Sequence, residues 1–277
     1  ARFFEVGMEE DARIRANIET DLRNALATDS MDVYFQPLVN TRTRKVAAYE
    51  TQLRWNRPGH GLVSPAVFIS IAEETGIIVP LGDWVIRKAI EEAAQWRDEV
   101  TVAINLSPAQ MKSPSLVATV VGALAASQLD PSRLEIEIVE SVLMDETEQN
   151  IRTLHALREL GVKIALDDFG TGYSSLSYLR SFPFDKIKID QRFVRDIDTS
   201  NENQAIVRAI ISLARDLKMR VTAEGVENEQ QAAVLAGLGC TEVQGFLYSR
   251  PVPASELEKK DAASRTSSSL VHTRRRA

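Results

Sequence analysis

Two periods alternate along this chain. Short runs that alternate apolar and polar residues, as a half-buried strand does, are separated by longer runs whose apolar residues recur every three or four positions, as in an amphipathic helix. The strand-like runs are VYFQPLV (33–39), KVAAYETQLRW (45–55), VTVAINLS (100–107), RLEIEIVE (133–140), VKIALDD (162–168), KIKID (186–190), RVTAEGV (220–226) and TEVQGFLY (241–248). A helix is predicted over 9–29, where Ile14, Ile18, Leu22 and Leu26 lie four apart. Ile151, Leu154, Leu157 and Leu160 form a second stripe that ends at Gly161, and Ile206, Ile210, Leu213 and Leu217 form a third. Ser64-Pro65 and Ser113-Pro114 read as an N-cap followed by a first-turn proline. Trp84 and Trp96 fall at helical spacing and are assigned to the core.

Strands interleaved with helices in this way predict an α/β chain folded as a modified TIM (β/α)8 barrel, with a doubly wound open sheet as the alternative. Only NTRTR, residues 40–44, separates the first two strands. That link is too short for a helical crossover, so this pair is predicted to be antiparallel.

Barrel chemistry collects at the C-terminal ends of the strands. Read in order, those ends carry Glu50, Asn105, Glu137, Asp167 with Asp168, Lys188, Glu224 and Gln244. Alternation supports the list: Val102, Ile104 and Leu106 face the helices and leave Asn105 on the axis, and Ile136 and Ile138 do the same for Glu137. Ile187 and Ile189 leave Lys186, Lys188 and Asp190 inward, and Glu224 turns inward opposite Val221 and Ala223. In KIALDDFGTG, Asp167 and Asp168 stand together before Gly170 and Gly172. Neighbouring strand residues face opposite ways, so these carboxylates converge only if the second lies beyond the strand.

A single Glu or Asn at a strand end is usually a solvated or capping residue, and DD before glycine also marks ordinary turns. The whole set is different, because so many carboxylates in one mouth repel each other unless cations neutralise them. Oxygen ligands select hard divalent ions, Mg²⁺ or Mn²⁺, over zinc, and there is capacity for two ions with one aspartate bridging. Such a pair suits phosphoryl displacement, with Lys188 holding the phosphate or the nucleophilic hydroxide. Glu135 and Glu140 are placed outside this shell. His60, His155 and His272 have no partner at ligand or triad spacing and are assigned to the surface.

Composition narrows the partners. The net charge of −6 over 277 residues, with Lys and Arg scattered, argues against a DNA-binding surface but not against a small anionic ligand. A lone Cys240 gives no disulfide framework and fits a reducing cytoplasm. No apolar run approaches the ~20 residues a membrane helix needs. The 44% hydrophobic content suffices for a sizeable core. The sequence opens at Ala1 without a methionine and is read as a piece of something longer, and the polar stretch after about residue 258, ending in Arg274–Arg276, as a disordered tail.

The motifs YFQP (34–37), E-x-x-L-R-W (50–55), INLSPAQ (104–110), EIVES (137–141), DDFGTGYSSLSYL (167–179), KIKID (186–190), AEGVE (223–227) and QGFLYSRP (244–251) together resemble the EAL domain family of cyclic-di-GMP phosphodiesterases, over about 17–257. The resemblance implies a barrel with an antiparallel first pair, hydrolysis of the cyclic dinucleotide to linear pGpG, and two Mg²⁺ or Mn²⁺ ions. It implies that Glu50, Asn105, Glu137 and Asp167 hold one ion and that Asp167, Asp168 and Glu224 hold the other. Lys188 would contact the attacking water, with Glu224 and Asp167 beside it in catalysis. Gln36, Leu53 and Arg54 would grip the ligand, Arg54 as a phosphate partner, and Asp190, Glu227 and Gln244 would lie around the guanines. Glu140 would support the DDFGTG loop, which in this family helps to form a homodimer. Residues 1–16 resemble the junction after an upstream diguanylate cyclase (GGDEF) or sensory domain, which could anchor the full-length protein in a membrane.

One departure bears on function. The family triplet E-A-L reads Glu50-Thr51-Gln52, and Val139 stands where threonine is usual. Thr51 is predicted to face the helices, a mild packing change, and Gln52 to share the face of Glu50 and Arg54. The expectation is reduced or retuned activity. Two further readings stand beside it: a domain that binds cyclic-di-GMP without cleaving it, and an unrelated barrel hydrolase acting on other phosphodiesters.

Overall fold

The structure, a computed structural model, describes residues 2–28, 30–96, 100–144, 148–170, 179 and 182–257, without the side chains of 2–12 and 143–144. The expected tail at 258–277, and the loop at 171–178 with Gly172 on which the dimer expectation rests, lie outside the described residues.

Ten strands form one sheet: β1 (Met31–Asn40), β2 (Val46–Arg57), β3 (Gly61–Val63), β4 (Thr101–Leu106), β5 (Leu134–Val139), β6 (Lys163–Phe169), β7 (Lys186–Ile189), β8 (Arg220–Ala223), β9 (Glu242–Gln244) and β10 (Val252–Pro253). Pairing runs from β2 through β4, β5, β6, β7, β8 and β9 to β1, and β1 pairs back onto β2, which closes an eight-stranded barrel. The predicted barrel forms, and the open sheet does not. β1 alone is reversed: it runs antiparallel to both β2 and β9, while every pair from β2–β4 to β8–β9 is parallel. The tight link is a turn in which the Asn40 carboxamide oxygen accepts from the backbone N–H groups of Arg42 and Thr43. The short β3 and β10 were not anticipated; they extend the sheet outside the barrel, paired to β2 and β1.

Among the described residues the α-helices are α1 (Arg2–Ala25), α2 (Pro65–Thr75), α3 (Ile78–Ala93), α4 (Pro108–Met111), α5 (Leu116–Ser127), α6 (Ser141–Met144), α7 (Glu148–Glu159), α8 (Gln191–Val194), α9 (Asn201–Asp216) and α10 (Glu229–Leu238). The outward residues Val102, Ile104, Ile136, Ile138, Ile187 and Ile189 are buried in the large core between strands and helices, as alternation predicted. Each contributes about 1.5–3 kcal/mol by leaving water. A second core joins Ile18, Leu22 and Ala25 of α1 to Trp55, Phe68, Ile71 and Leu81. Helix α1 starts and ends earlier than its apolar spacing predicted, and Ile14 stays exposed. Leu217 is likewise exposed, just past the end of α9. Ser64 and Pro65 do open α2, but Ser113 and Pro114 form a turn before α5, whose N-cap is Ser115. Trp84 and Trp96 pack against the core, with Trp96 edge-on to Phe35 and Tyr49.

One glycine governs the approach of β9 to the site. A Cβ on Gly245 would lie 2.0 Å from the carbonyl oxygen and 2.3 Å from the nitrogen of Val226, both fixed backbone atoms. Gly245→Ala is therefore expected to destabilise the fold by about 1–3 kcal/mol, read as a lowered midpoint of denaturant unfolding, because the loop after β8 must move.

Candidate active site

The barrel register brings the predicted residues to one end. Gln36 lies opposite Glu50 across β1–β2, Asn105 opposite Glu137 across β4–β5, and Asp167 opposite Val139 across β5–β6. Glu224 follows the last residue of β8, where its backbone N–H still donates to Ile189.

The two aspartates converge by a route that alternation did not anticipate. β6 continues to Phe169, and between Leu166 and Phe169 it advances three residues while β7 advances two, from Ile187 to Ile189. This bulge places Asp168 at φ 54°, a left-handed conformation that aspartate tolerates better than most residues. Asp168 thus sits within the strand rather than beyond it, with its carboxylate turned to the side of Asp167. Carboxylate oxygens of Asp167, Asp168 and Glu224 lie within 4.8 Å of one another.

Lys188 is the centre of the arrangement. Its buried Nζ lies 2.7 Å from Glu137 Oε2, 2.7 Å from Glu224 Oε1, 3.2 Å from Asp167 Oδ2 and 3.7 Å from Glu50 Oε1. Burial opposes its charge, but the surrounding carboxylates, Asp167 and Glu137 first, outweigh that and raise its pKa well above the ordinary value. Without metal the surroundings therefore favour its charged form. The acids divide. Burial pushes Glu224 up to about 8, and burial together with the adjoining Asp167 pushes Asp168 to about 6. Glu137 is raised by burial more than Lys188 lowers it. Burial would raise Glu50 too, but Lys188 and hydrogen bonds from Gln244, Asn105 and Gln52 bring it below its usual value.

A second charged layer lies beneath. Lys186 Nζ bridges Glu135 Oε1 at 2.6 Å and Glu242 Oε2 at 2.8 Å, while Arg220 reaches the other oxygen of each at 2.9 Å. This layer is balanced in charge, and in it Glu135 is paired with Lys186 and Arg220 at the barrel floor. The upper layer is not balanced. Glu50, Glu137, Asp167, Asp168 and Glu224 face one ammonium, an excess of four negative charges when all are ionised.

Those residues fit divalent cations on the evidence of their own atoms. Glu137 Oε1 is buried without a hydrogen-bond partner among the described residues, and so is Gln244 Oε1. The donors are oxygens, as Mg²⁺ and Mn²⁺ require. Asn105, exposed at the rim, donates to Glu50 Oε1 at 2.6 Å from its side-chain nitrogen, which leaves its carbonyl oxygen as the atom suited to an ion.

Of the other predicted residues, Gln36 and Gln244 are buried in the cavity wall and Glu227 lines it. Asp190 caps α8 by accepting from Arg192 N–H at 2.8 Å, which gives it a structural role at the site's edge. Leu53 and Arg54 line a neighbouring cavity. Glu140 is buried after β5 with Oε2 unpartnered among the described residues, and its expected loop partner lies outside them. His155 is exposed, as assigned, and packs edge-on to Phe182.

Sequence reasoning did not single out Gln191, Gly225 or Phe246, all in the cavity wall. Phe246 is 51% exposed, with the Arg250 guanidinium 4.1 Å from its ring centroid. An exposed aromatic inside the QGFLY motif was the available signal. Thr51 does face away from the axis and is buried, but its Oγ1 finds no hydrogen-bond partner among the described residues. That is a larger penalty than a mild packing change, about 1–3 kcal/mol.

Barrel and site together define an α/β barrel with a carboxylate-rich centre for hard divalent ions at the C-terminal ends of its strands. Comparison makes this specific. The profile of the EAL domain matches residues 19–251, and the chain belongs to that family. It is 40% identical over 259 residues to the bifunctional diguanylate cyclase/cyclic di-GMP phosphodiesterase MucR of Pseudomonas aeruginosa, covering 92% of this chain and 38% of that protein. It is 40% identical over 245 residues to the cyclic di-GMP phosphodiesterase PdeR of Escherichia coli, covering 87% of this chain and 37% of that one. A solved structure described as PaMucR phosphodiesterase in complex with c-di-GMP superimposes with a TM-score of 0.83 at 40% identity, covering 87% of this chain and 99% of that chain. The chain spans about a third of the length of the curated relatives it matches.

Metal must displace protons here, so apparent Mg²⁺ or Mn²⁺ affinity should rise between about pH 6 and about pH 8, as Asp168 and Glu224 ionise. Calorimetric titration across that range checks it; a flat profile contradicts it. The folded Glu224 also keeps a proton that the unfolded chain has released above its ordinary 4.5, so metal-free stability should fall as pH rises from there to about 8. Lys188→Met should lower metal-free stability by about 3–5 kcal/mol, since it leaves buried carboxylates uncompensated. Saturating Mg²⁺ should shrink that loss in a thermal melt.

Proposed function

We propose that this domain hydrolyses cyclic-di-GMP to linear pGpG with two divalent ions, Mg²⁺ or Mn²⁺, and so lowers the concentration of this bacterial second messenger. The observation that carries the reading is the excess of carboxylates gathered on one buried lysine, beside space for a dinucleotide. A polar cavity of about 330 Å³ around Glu224 and a more apolar one of about 340 Å³ beside Leu53 and Ile69 share Glu50, Gln52 and Asn105 in their walls. One base fits against the exposed Phe246 ring and the other against the apolar wall, with the phosphate between them at the carboxylates. Names of the relatives and of the matching complex support the ligand.

Glu50, Asn105, Glu137 and Asp167 would hold one ion, and Asp167, Asp168 and Glu224 the other. Bound there, the ions would polarise a phosphoryl oxygen and ionise a water near neutral pH. Lys188, whose ammonium lies among four carboxylates, would donate a hydrogen bond to the incoming oxygen and steady it. Glu224, as a ligand of the second ion, would be held ionised there beside Lys188. The oxygen of water bonds to phosphorus, one P–O ester bond breaks, and the leaving hydroxyl takes up a proton. Arg54 and Gln36 hold the substrate's polar groups, with Asp190, Glu227 and Gln244 around the bases. The name of the bifunctional relative, and the part of its length spanned here, support placing this domain in a longer chain with a diguanylate cyclase domain.

Incubation of the purified domain with cyclic-di-GMP and Mg²⁺ or Mn²⁺, followed by chromatography, is expected to yield pGpG. Bound but unchanged nucleotide with either metal would favour a sensor instead. Asp167→Asn, which weakens the ligand shared by both ions, is expected to lower kcat at least 10³-fold, a loss of about 4 kcal/mol of transition-state stabilisation.

A further inference from the structure

Gln52 stands in the wall common to the two cavities, and both ends of its amide are engaged. Its Oε1 accepts from Arg54 Nη2 at 3.2 Å, and its Nε2 donates to Gln36 Oε1 at 2.9 Å. Gln36 Oε1 also accepts from Gln244 Nε2 at 3.2 Å, and that same Gln244 nitrogen donates to Glu50 Oε2. Gln36 is itself anchored, its Nε2 donating to the Ser249 carbonyl at 3.1 Å. An unbroken run of side-chain hydrogen bonds therefore leads from Arg54, through Gln52, Gln36 and Gln244, to Glu50.

Arg54 has two other restraints: Nη1 donates to the Leu53 carbonyl at 2.8 Å, and the guanidinium lies 5.3 Å from the centre of the Tyr34 ring. A guanidinium carries five N–H donors, so these two hydrogen bonds leave three for an anion. Gln52 thus orients the fork without exhausting it. A leucine at 52, the residue of the family triplet, offers neither acceptor nor donor, and would leave the arginine held only by the Leu53 carbonyl and the Tyr34 ring.

We propose that Gln52 is a positioning residue, which holds the Arg54 fork ready for the substrate's phosphate and, through Gln36 and Gln244, links it to the Glu50 carboxylate. The inference rests on the phosphodiesterase reading. Its physical basis is that an arginine ordered before binding loses less rotamer freedom on binding, so its contribution appears in KM more than in kcat. This chain has replaced an apolar contact by an amide that does the ordering.

The test is steady-state hydrolysis of cyclic-di-GMP by wild type, Gln52→Leu, Gln52→Met, Arg54→Ala and the Gln52→Leu/Arg54→Ala pair, with a thermal melt of each. Gln52→Leu and Gln52→Met are expected to raise KM about tenfold and to change kcat by less than about threefold, equivalent to about 1.4 kcal/mol of binding. In the Arg54→Ala background, Gln52→Leu should raise KM no further, because the group it positions is gone. A general packing defect would instead lower stability and kcat together. Unchanged or lowered KM in both single variants, or KM effects that multiply in the double variant, overturns the inference while leaving the activity in place. Failure of the wild type to hydrolyse the dinucleotide overturns the phosphodiesterase reading and this inference with it.

Discussion

The pairing of Lys188 with the carboxylates around it is the interaction on which the rest of the structure depends. A buried ammonium is tolerable only among anions, and these anions are tolerable in a closed barrel only with that ammonium among them. Four strands contribute to the contact, since Glu50, Glu137, Asp167 and Lys188 come from β2, β5, β6 and β7. Closure of the barrel and assembly of the site are therefore one event. The layer below, with Lys186 and Arg220 bridging Glu135 and Glu242, balances its own charge and serves as a floor. The upper layer carries surplus negative charge, which is the physical ground for the proposed divalent ions.

The fold supplies this centre with an unequal surrounding. Reversal of β1 brings Gln36 and its amide beside Glu50, and makes it possible for β9 to close the barrel from the other side with Gln244. Gly245 allows the chain after Gln244 to pass against the backbone of Val226, which sets Phe246 at the cavity's edge. On the opposite side, α1 and α2 enclose a separate apolar core beside Leu53 and Trp55. One half of the ligand space is consequently polar and the other apolar, which suits a molecule with charged phosphates between flat bases.

The changed triplet reads differently once its neighbours are known. Thr51 buries a hydroxyl with no hydrogen-bond partner among the described residues, which opposes stability, and it borders the more apolar cavity rather than the carboxylate centre. Gln52 does the reverse, joining a hydrogen-bonded series that runs from the Arg54 guanidinium to the Glu50 carboxylate. Two adjacent substitutions on one strand thus act on different properties, because consecutive residues of a strand face different surroundings.

Period-two alternation and the short link at 40–44 were enough to determine the barrel, its reversed strand and which acids face the axis, because those features depend on local geometry and on the burial of one face of each strand. The convergence of these acids with Lys188 at one end of the barrel was legible for the same reason: charged groups at the ends of apolar strands have few places to go. Tertiary structure alone decided the rest. The turn of Asp168 toward Asp167 comes from a one-residue slip between β6 and β7, which depends on pairing with a partner strand and leaves no periodic trace in sequence. Glu242 joins Lys186 and Arg220 only when β9 closes on β8, and Phe246 becomes a cavity wall only when Gly245 has passed Val226. The role of Gln52 is set by residues 16 and 208 positions apart in the contacts it connects, Gln36 with Gln52 and Gln36 with Gln244. Such contacts are fixed by long-range packing, which spacing along a chain does not encode.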